Sequence, residues 1–245
     1  MRRIYIILLA LVVAVIAVLI CFNGGNRIVI KGDIVSCDEM MVYLYRSEAA
    51  CEQQIIDSMR LSNRGHFRFA IDDAIDELTF YEVVCGWERV PLLLRSGDKV
   101  TVESAGSVSL NYKVSGSEES EHLRRFFQPY IKGSRELRLI ATQYAVAQYK
   151  EEPIGELTLE YNSKYREIKQ TQMRYIVENK ERLASLYALA QRLPGDEFIF
   201  EESSDLIYMR IVADGIEMNY PSSPYISVLR GDIERAEQRL NLKVE

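Results

Sequence analysis

The sequence predicts an α+β chain: an antiparallel β-sandwich or barrel of about eight strands, then an irregular helical subdomain, the whole preceded by one transmembrane helix. Three observations predict it. Residues 4–22 carry no charge, residues 27–116 break into short β-rich strings separated by turn formers, and residues 117–245 change to a period near 3.6. The expected units are a signal anchor and spacer at 1–26, a β domain at 27–116 and a helical subdomain at 117–245.

After Met1, Arg2 and Arg3, the run from Ile4 to Phe22 is nearly all Ile, Leu, Val and Ala. As a helix it measures about 28 Å, close to the hydrocarbon thickness of a bilayer. The basic N-terminus favours keeping that end in the cytoplasm, which places everything after Asn23 across the membrane. Small residues do not stand at a cut point that would remove the apolar run, so an uncleaved anchor is expected. Cys21 is the alternative: a lipid-modified cysteine ending a cleaved signal. Ile20, where lipoprotein processing needs a small residue, speaks against it. NGGN at 23–26 is a short spacer. Either route puts the folded part in the cell envelope, inner-membrane anchored with a periplasmic ectodomain, or as a lipoprotein.

The β-rich strings are RIVIKGDIV, MVYLYR, QQIIDSMRL, HFRFAI, ELTFYEVV, RVPLLLR, KVTVES and NYKVS. Apolar residues alternate in HFRFAI and KVTVE as on half-buried strands. NRG (63–65), CGWE (85–88) and SGD (96–98) supply turns. In SGSEESEHL, Ser117 reads as an N-cap, with Glu118 and Glu119 at the positive end of the helix dipole. That helix is expected to run to about Ile131 and stop at Gly133, with a second over Glu136–Tyr149. Leu157, Tyr161, Tyr165, Ile168, Gln172 and Tyr175 form the stripe of a third helix, ending near Asn179. LASLYALAQRL (183–193) is a fourth, broken by Pro194 and Gly195, and two more fall near Ser204–Glu217 and Tyr225–Leu242 on either side of NYPSSP (219–224). No fixed repeat period is present.

The net charge is −6, and removing residues 1–25, with two Arg and no acid, leaves about −8 on the folded part. An acidic surface without a Lys/Arg cluster repels a phosphate backbone, so nucleic acid is not an expected partner. No metal or cofactor is expected. The four cysteines contain no CxxC, and His66 and His122 stand apart from them and from any nucleophile motif. Asp72, Asp73 and Asp76 lack the glycine and the downstream Glu of a Ca²⁺ loop. Glu151/Glu152 and Glu201/Glu202 are adjacent residues on solvated segments, unsuited to acid–base pairs across a cleft.

Cys37 and Cys51 bracket the strand MVYLYR, about 20 Å or more apart, too far to bridge. Cys85 can pair with either, which leaves an odd thiol, read first as a small buried hydrophobe and otherwise as a mixed-disulfide site. Trp87, in the CGWER turn, is read as a cap on the β domain.

IIDSMRLSNRGHFRFA (55–70), VPLLLRSGDKVTVE (90–103), YKVSGS (112–117), IVENKERLASLYAL (176–189) and NYPSSPYISVL (219–229) follow one another in an ordered set. On these stretches, over roughly residues 27–240, the chain resembles the N-terminal domain of unknown function that precedes a thioredoxin-like domain in envelope thiol-disulfide oxidoreductases of certain Gram-negative anaerobes. The resemblance implies a β domain followed by helices. In those relatives a thioredoxin fold with its CxxC follows the last helix, whereas this sequence ends at NLKVE. The resemblance therefore transfers no catalytic residue.

The expectation is a non-catalytic interaction module, tethered to the membrane through residues 4–22 and binding a protein partner in the envelope. Two alternatives stand beside it. One is an accessory of a thiol-disulfide pathway that acts with a separate thioredoxin-like protein through Cys37, Cys51 or Cys85. The other is a small-ligand or glycan binder that uses Tyr43, Tyr45, Tyr81 and Trp87, or the junction of the β domain with the helices.

Overall fold

The computed structural model describes residues 27–35, 37, 40–47, 53–72, 76–194, 197–200 and 203–241. The expected anchor, Cys21, the NGGN spacer, Cys51, Asp73 and Glu201/Glu202 lie outside the described residues. Among the described residues, no helix is long and apolar enough to cross a membrane.

The chain is α+β, with two four-stranded sheets and helices. Each of the eight strings contains a strand: β1 (Ile28–Ile34), β2 (Met41–Ser47), β3 (Gln53–Arg60), β4 (His66–Ile71), β5 (Thr79–Cys85), β6 (Glu88–Leu94), β7 (Lys99–Ser104) and β8 (Lys113–Ser115). The sheet orders are β4-β1-β7-β8 and β3-β2-β5-β6. The expected all-antiparallel pairing needs one correction: β1 and β7 are parallel, with Ile30 opposite Val100 and Gly32 opposite Val102. Parallel neighbours need a long connection between them, and here the whole second sheet supplies it. The pairing also explains Gly32. A Cβ there would lie 1.7 Å from the Val102 carbonyl oxygen, so any other residue would push β1 off β7.

Burial along the strands gives the layering. In β4 and β7 buried and open positions alternate, as expected where one face meets the core and the other meets water. In β5 and β6 nearly every residue is buried, so the centre of the second sheet is covered on both faces. Val42, Leu44, Val83 and Leu92 join Ile30, Phe69 and Val102 of the first sheet in one apolar core. The alternate residues of β5 and β6 meet the helices. Phe80 packs against Tyr187 and Tyr225, Glu82 accepts a 3.1 Å hydrogen bond from Tyr187 Oη, and Leu93 N–H donates to Ser120 Oγ at 3.0 Å. At the edge, β3 is exposed along most of its length, and its Gln, Asp and Arg side chains suit an unpaired rim.

A four-residue helix, α1 (Val108–Asn111), precedes β8 and was not foreseen, being too short to show a period. Ser117 caps α2 (Glu118–Tyr149) as expected, accepting from Ser120 N–H at 3.2 Å. The stop expected at Gly133 is overturned, because α2 is continuous for 32 residues through both Pro129 and Gly133. Pro129 lies on the exposed face, where water can take the carbonyl it leaves free. Gly133 lets α3 (Gly155–Glu178) approach, since a Cβ there would sit 2.9 Å from Ile168 Cγ1. The fourth predicted helix is shorter than expected: α4 covers Ala184–Leu189, and the rest forms a small hairpin of β9 (Arg192–Leu193) and β10 (Glu197–Phe198). A 3₁₀ turn at Ser203–Asp205 leads into α5 (Leu206–Asn219), and α6 (Pro224–Asn241) follows.

Candidate interaction surface

The C-terminal end of β1, the N-terminal end of β2 and the β5–β6 turn converge at one end of the two-sheet unit. Met41 pairs with Arg60, Tyr43 with Val84 and Cys85 with Glu88. Val35 N–H donates to the Ser104 carbonyl at 3.2 Å, which holds the chain after β1 in place. Here Cys37 and Cys85 form a disulfide with Cα atoms 6.2 Å apart, tying the segment between β1 and β2 to the β5–β6 turn. Of the two pairings open to Cys85, the structure has the one with Cys37. Cys85 is buried and Cys37 is half-buried.

The turn carries Trp87, and the expected capping role is overturned: Trp87 is 99% exposed. Gly86, at φ +59°, makes the tight reversal that points the next side chain away from the sheets. Capping falls instead to α1, whose Val108 and the following Tyr112 are buried. Val35 at 68% and Met40 at 47% exposure stand at the same end as Trp87. Three apolar side chains, one of them the only tryptophan, thus project around a covalently stapled turn.

Glu88 sets this turn against the helices. It accepts from Ser109 N–H at 2.8 Å, Ser107 Oγ at 2.9 Å and Arg135 Nη2 at 2.8 Å, joining β6, α1 and α2. Burial alone would push its carboxyl up; the bonds from Ser109, Arg135 and Ser107 outweigh that and hold it down at about 2. A depressed folded-state pKa stabilises above the ordinary carboxylate range, and the gain disappears as pH falls from about 4.5 toward 2. Glu88→Gln is expected to cost about 1–2 kcal/mol at neutral pH, discounted for the partly open site. Urea titrations of the two proteins should converge as pH approaches 2, and a gap that stays constant with pH would remove this role.

Beyond Arg135, α2 continues for about 14 residues, roughly 21 Å, and α3 returns alongside it. This helical hairpin exposes Leu139, Val146, Tyr149 and Leu159.

The other residues singled out in the sequence do not gather. Tyr43 and Tyr45 lie side by side on one face of β2, ring centroids 6.5 Å apart and half-buried, while Tyr81 is in the core and Trp87 is at the turn. His66 contacts Asp33 across β4 and β1, and His122 Nε2 lies 3.6 Å from Glu118 one helical turn away. Asp72 pairs with Arg27, Nη2 to Oδ2 at 2.7 Å, and Asp76 is exposed. Glu151 and Glu152 lie in the exposed turn after α2. Among the described residues, no three His, Cys, Asp or Glu side chains come together as metal ligands would.

Two adjoining clefts, of about 380 and 240 Å³, lie away from Trp87, at the end where β5 and β1 begin. Asn219 and Tyr220 line both. Tyr220 has its phenol pushed up, mainly by burial and then by Glu119. Nothing in the sequence pointed to this place beyond the NYPSSP divider.

No family model, no curated protein and no solved structure matches the chain.

Proposed function

We propose that the chain is a membrane-anchored, non-catalytic interaction module of the cell envelope, with its two sheets acting as a β-sandwich scaffold and residues 4–22 as the anchor. The observation that supports this reading is Trp87, wholly exposed on a turn stapled by Cys37–Cys85 and flanked by Val35 and Met40. Tryptophan is the residue most enriched among binding hot spots, and a rigid turn loses little conformational entropy when a partner covers it. The turn lies at the opposite end of the sheets from Arg27, where the chain leaves the expected spacer, so it would face away from the membrane toward an envelope protein.

A photo-crosslinking amino acid placed at Trp87 in the full chain, in intact cells, is expected to give one dominant protein adduct. The same group at Met218, also exposed but far from the turn, should not give it. Matching patterns from the two sites, or no adduct from either, would overturn the reading. The disulfide favours one second reading: a separate thioredoxin-like protein that acts on Cys37–Cys85, approaching from the half-buried Cys37 and not from the buried Cys85. In that case the adduct would be such a protein, and its yield would depend on Cys37.

A further inference from the structure

The cleft of about 240 Å³ is lined by Asp76, Glu77, Arg95, Tyr220, Ser222 and Ser223, among others. Three features in it point to an anionic oxygen ligand. Ser223 immediately precedes α6, an 18-residue helix that starts with Pro224 and has no acid in its first turn, so its positive end is not neutralised from within. The Ser223 side chain is buried, with 7% of the residue exposed, and its Oγ has no hydrogen-bond partner. A buried hydroxyl without a partner is costly unless something supplies one. Arg95 lines the same cleft, and its guanidinium is free of any ion pair or hydrogen bond among the described residues. The free hydroxyl is a second observation beside the helix end: it is a buried side-chain group left wanting a partner on a residue that lines the cleft.

Asp76 and Glu77, which line the same cleft, argue against a simple anion. They would repel it unless the ligand also carried a cation. A ligand with an anionic oxygen cluster at one end and an ammonium a few bonds away satisfies both sets of groups at once. We infer that this cleft binds a phosphoethanolamine-type zwitterion, its phosphate on Arg95, Ser223 and the start of α6, and its ammonium on Asp76 and Glu77. Phosphate accepts from a guanidinium and from helix N-terminal groups, and a primary ammonium can donate to carboxylates, which a quaternary one cannot.

The cleft's place in the fold bears on the source. Asp98 Oδ2 accepts from Arg95 N–H at 3.0 Å and the Asp98 carbonyl accepts from Val29 N–H at 2.8 Å, so Arg95 stands beside the start of β1. If residues 4–22 are an anchor, as in the reading above on which the lipid source rests, this end of the protein faces the headgroups across a four-residue spacer.

The test uses the full chain in an uncharged maltoside micelle with a ¹⁹F-labelled tyrosine at position 220. Phosphoethanolamine is expected to shift the resonance saturably. Inorganic phosphate or ethanolamine alone should need at least about fivefold higher concentration, and both Arg95→Ala and the pair Asp76→Asn/Glu77→Gln should weaken the zwitterion about tenfold or more. Far-ultraviolet circular dichroism confirms that these surface variants fold. No saturable shift, phosphate as effective as the zwitterion, or variants that bind normally would each overturn the site. Nanodiscs of phosphatidylethanolamine, compared with phosphatidylcholine and phosphatidylglycerol, then identify the source. The bound resonance appearing only in the first means the lipid headgroup. Binding of soluble phosphoethanolamine without a disc effect supports the site with a free ligand, and counts against the anchor reading rather than against the cleft.

Discussion

Replacing Cys37 and Cys85 together by serine is expected to lower unfolding stability by about 4 kcal/mol, from the loop-closure entropy of a crosslink between residues 48 apart. That is a large part of the stability of an ordinary domain. Disulfide-free chain should still fold at low temperature, because Cys85 is one member of a large apolar core whose other residues, such as Ile30, Leu44, Phe69, Val83 and Val102, still join the two sheets. Urea unfolding is the measurement, followed by far-ultraviolet circular dichroism, since Trp87 is already in water and its emission will change little. Wild-type protein in excess dithiothreitol should match the double variant. A loss below about 1 kcal/mol would mean that the segment around Cys37 is held by other contacts and that the staple does not shape the turn. A full loss, together with a weaker photo-adduct at position 87, would link the bridge to recognition: the apolar tip then binds because it is prepaid in rigidity.

Strands were the most legible part of this sequence, because local pattern decides them. Each string had its own alternation or continuous apolar run and its own turn residues, and Gly65, Gly86 and Gly97 take the positive φ that such turns need. Ser117 was legible for the same reason: a cap acts within three residues. What the sequence hid were meetings between distant segments. Gly133 reads as a helix stop until Ile168, on the next helix, is seen to occupy the space of its missing Cβ. The parallel β1–β7 pairing depends on a crossover through the whole second sheet, and the partner of Cys85 depends on the strand order. Trp87 was misplaced because a large aromatic in a turn is expected to cap the core. A four-residue helix with no period had already done so through Val108.

The cleft was hidden more deeply. Its cation comes from the β6–β7 turn, its carboxylates from the chain before β5 and its hydroxyl from the start of the last helix. The one local signal was SSP at 222–224, a serine followed by proline at a helix start. That signal predicts a cap, yet Ser223 Oγ makes no capping bond in the structure. A local rule that holds in type and fails in detail is where a second, non-local requirement is to be sought.

Asp205→Ala is expected to cost about 3–5 kcal/mol, the range for removing one partner of a buried ion pair. Asp205 and Lys169 side chains are only 4% and 13% exposed, and Nζ lies 2.9 Å from Oδ2. The pair joins the middle of α3 to the turn that starts α5. Removing the carboxylate leaves the ammonium in a site that water barely reaches. Changing Lys169→Met with Asp205→Leu should cost much less than the sum of the single losses, because the desolvation penalties vanish with the charges. Urea unfolding of the wild type, both single variants and the double variant measures this coupling. Additive losses would show that the two groups are held by separate neighbours. The consequence reaches both ends of the molecule. Upstream, α3 forms half of the projecting hairpin; downstream, α5 ends at Asn219 and Tyr220, the shared wall of the two clefts. Asp205→Ala should therefore weaken phosphoethanolamine binding at the cleft while leaving the stapled Trp87 turn, which rests on Glu88 and the disulfide, able to form its adduct.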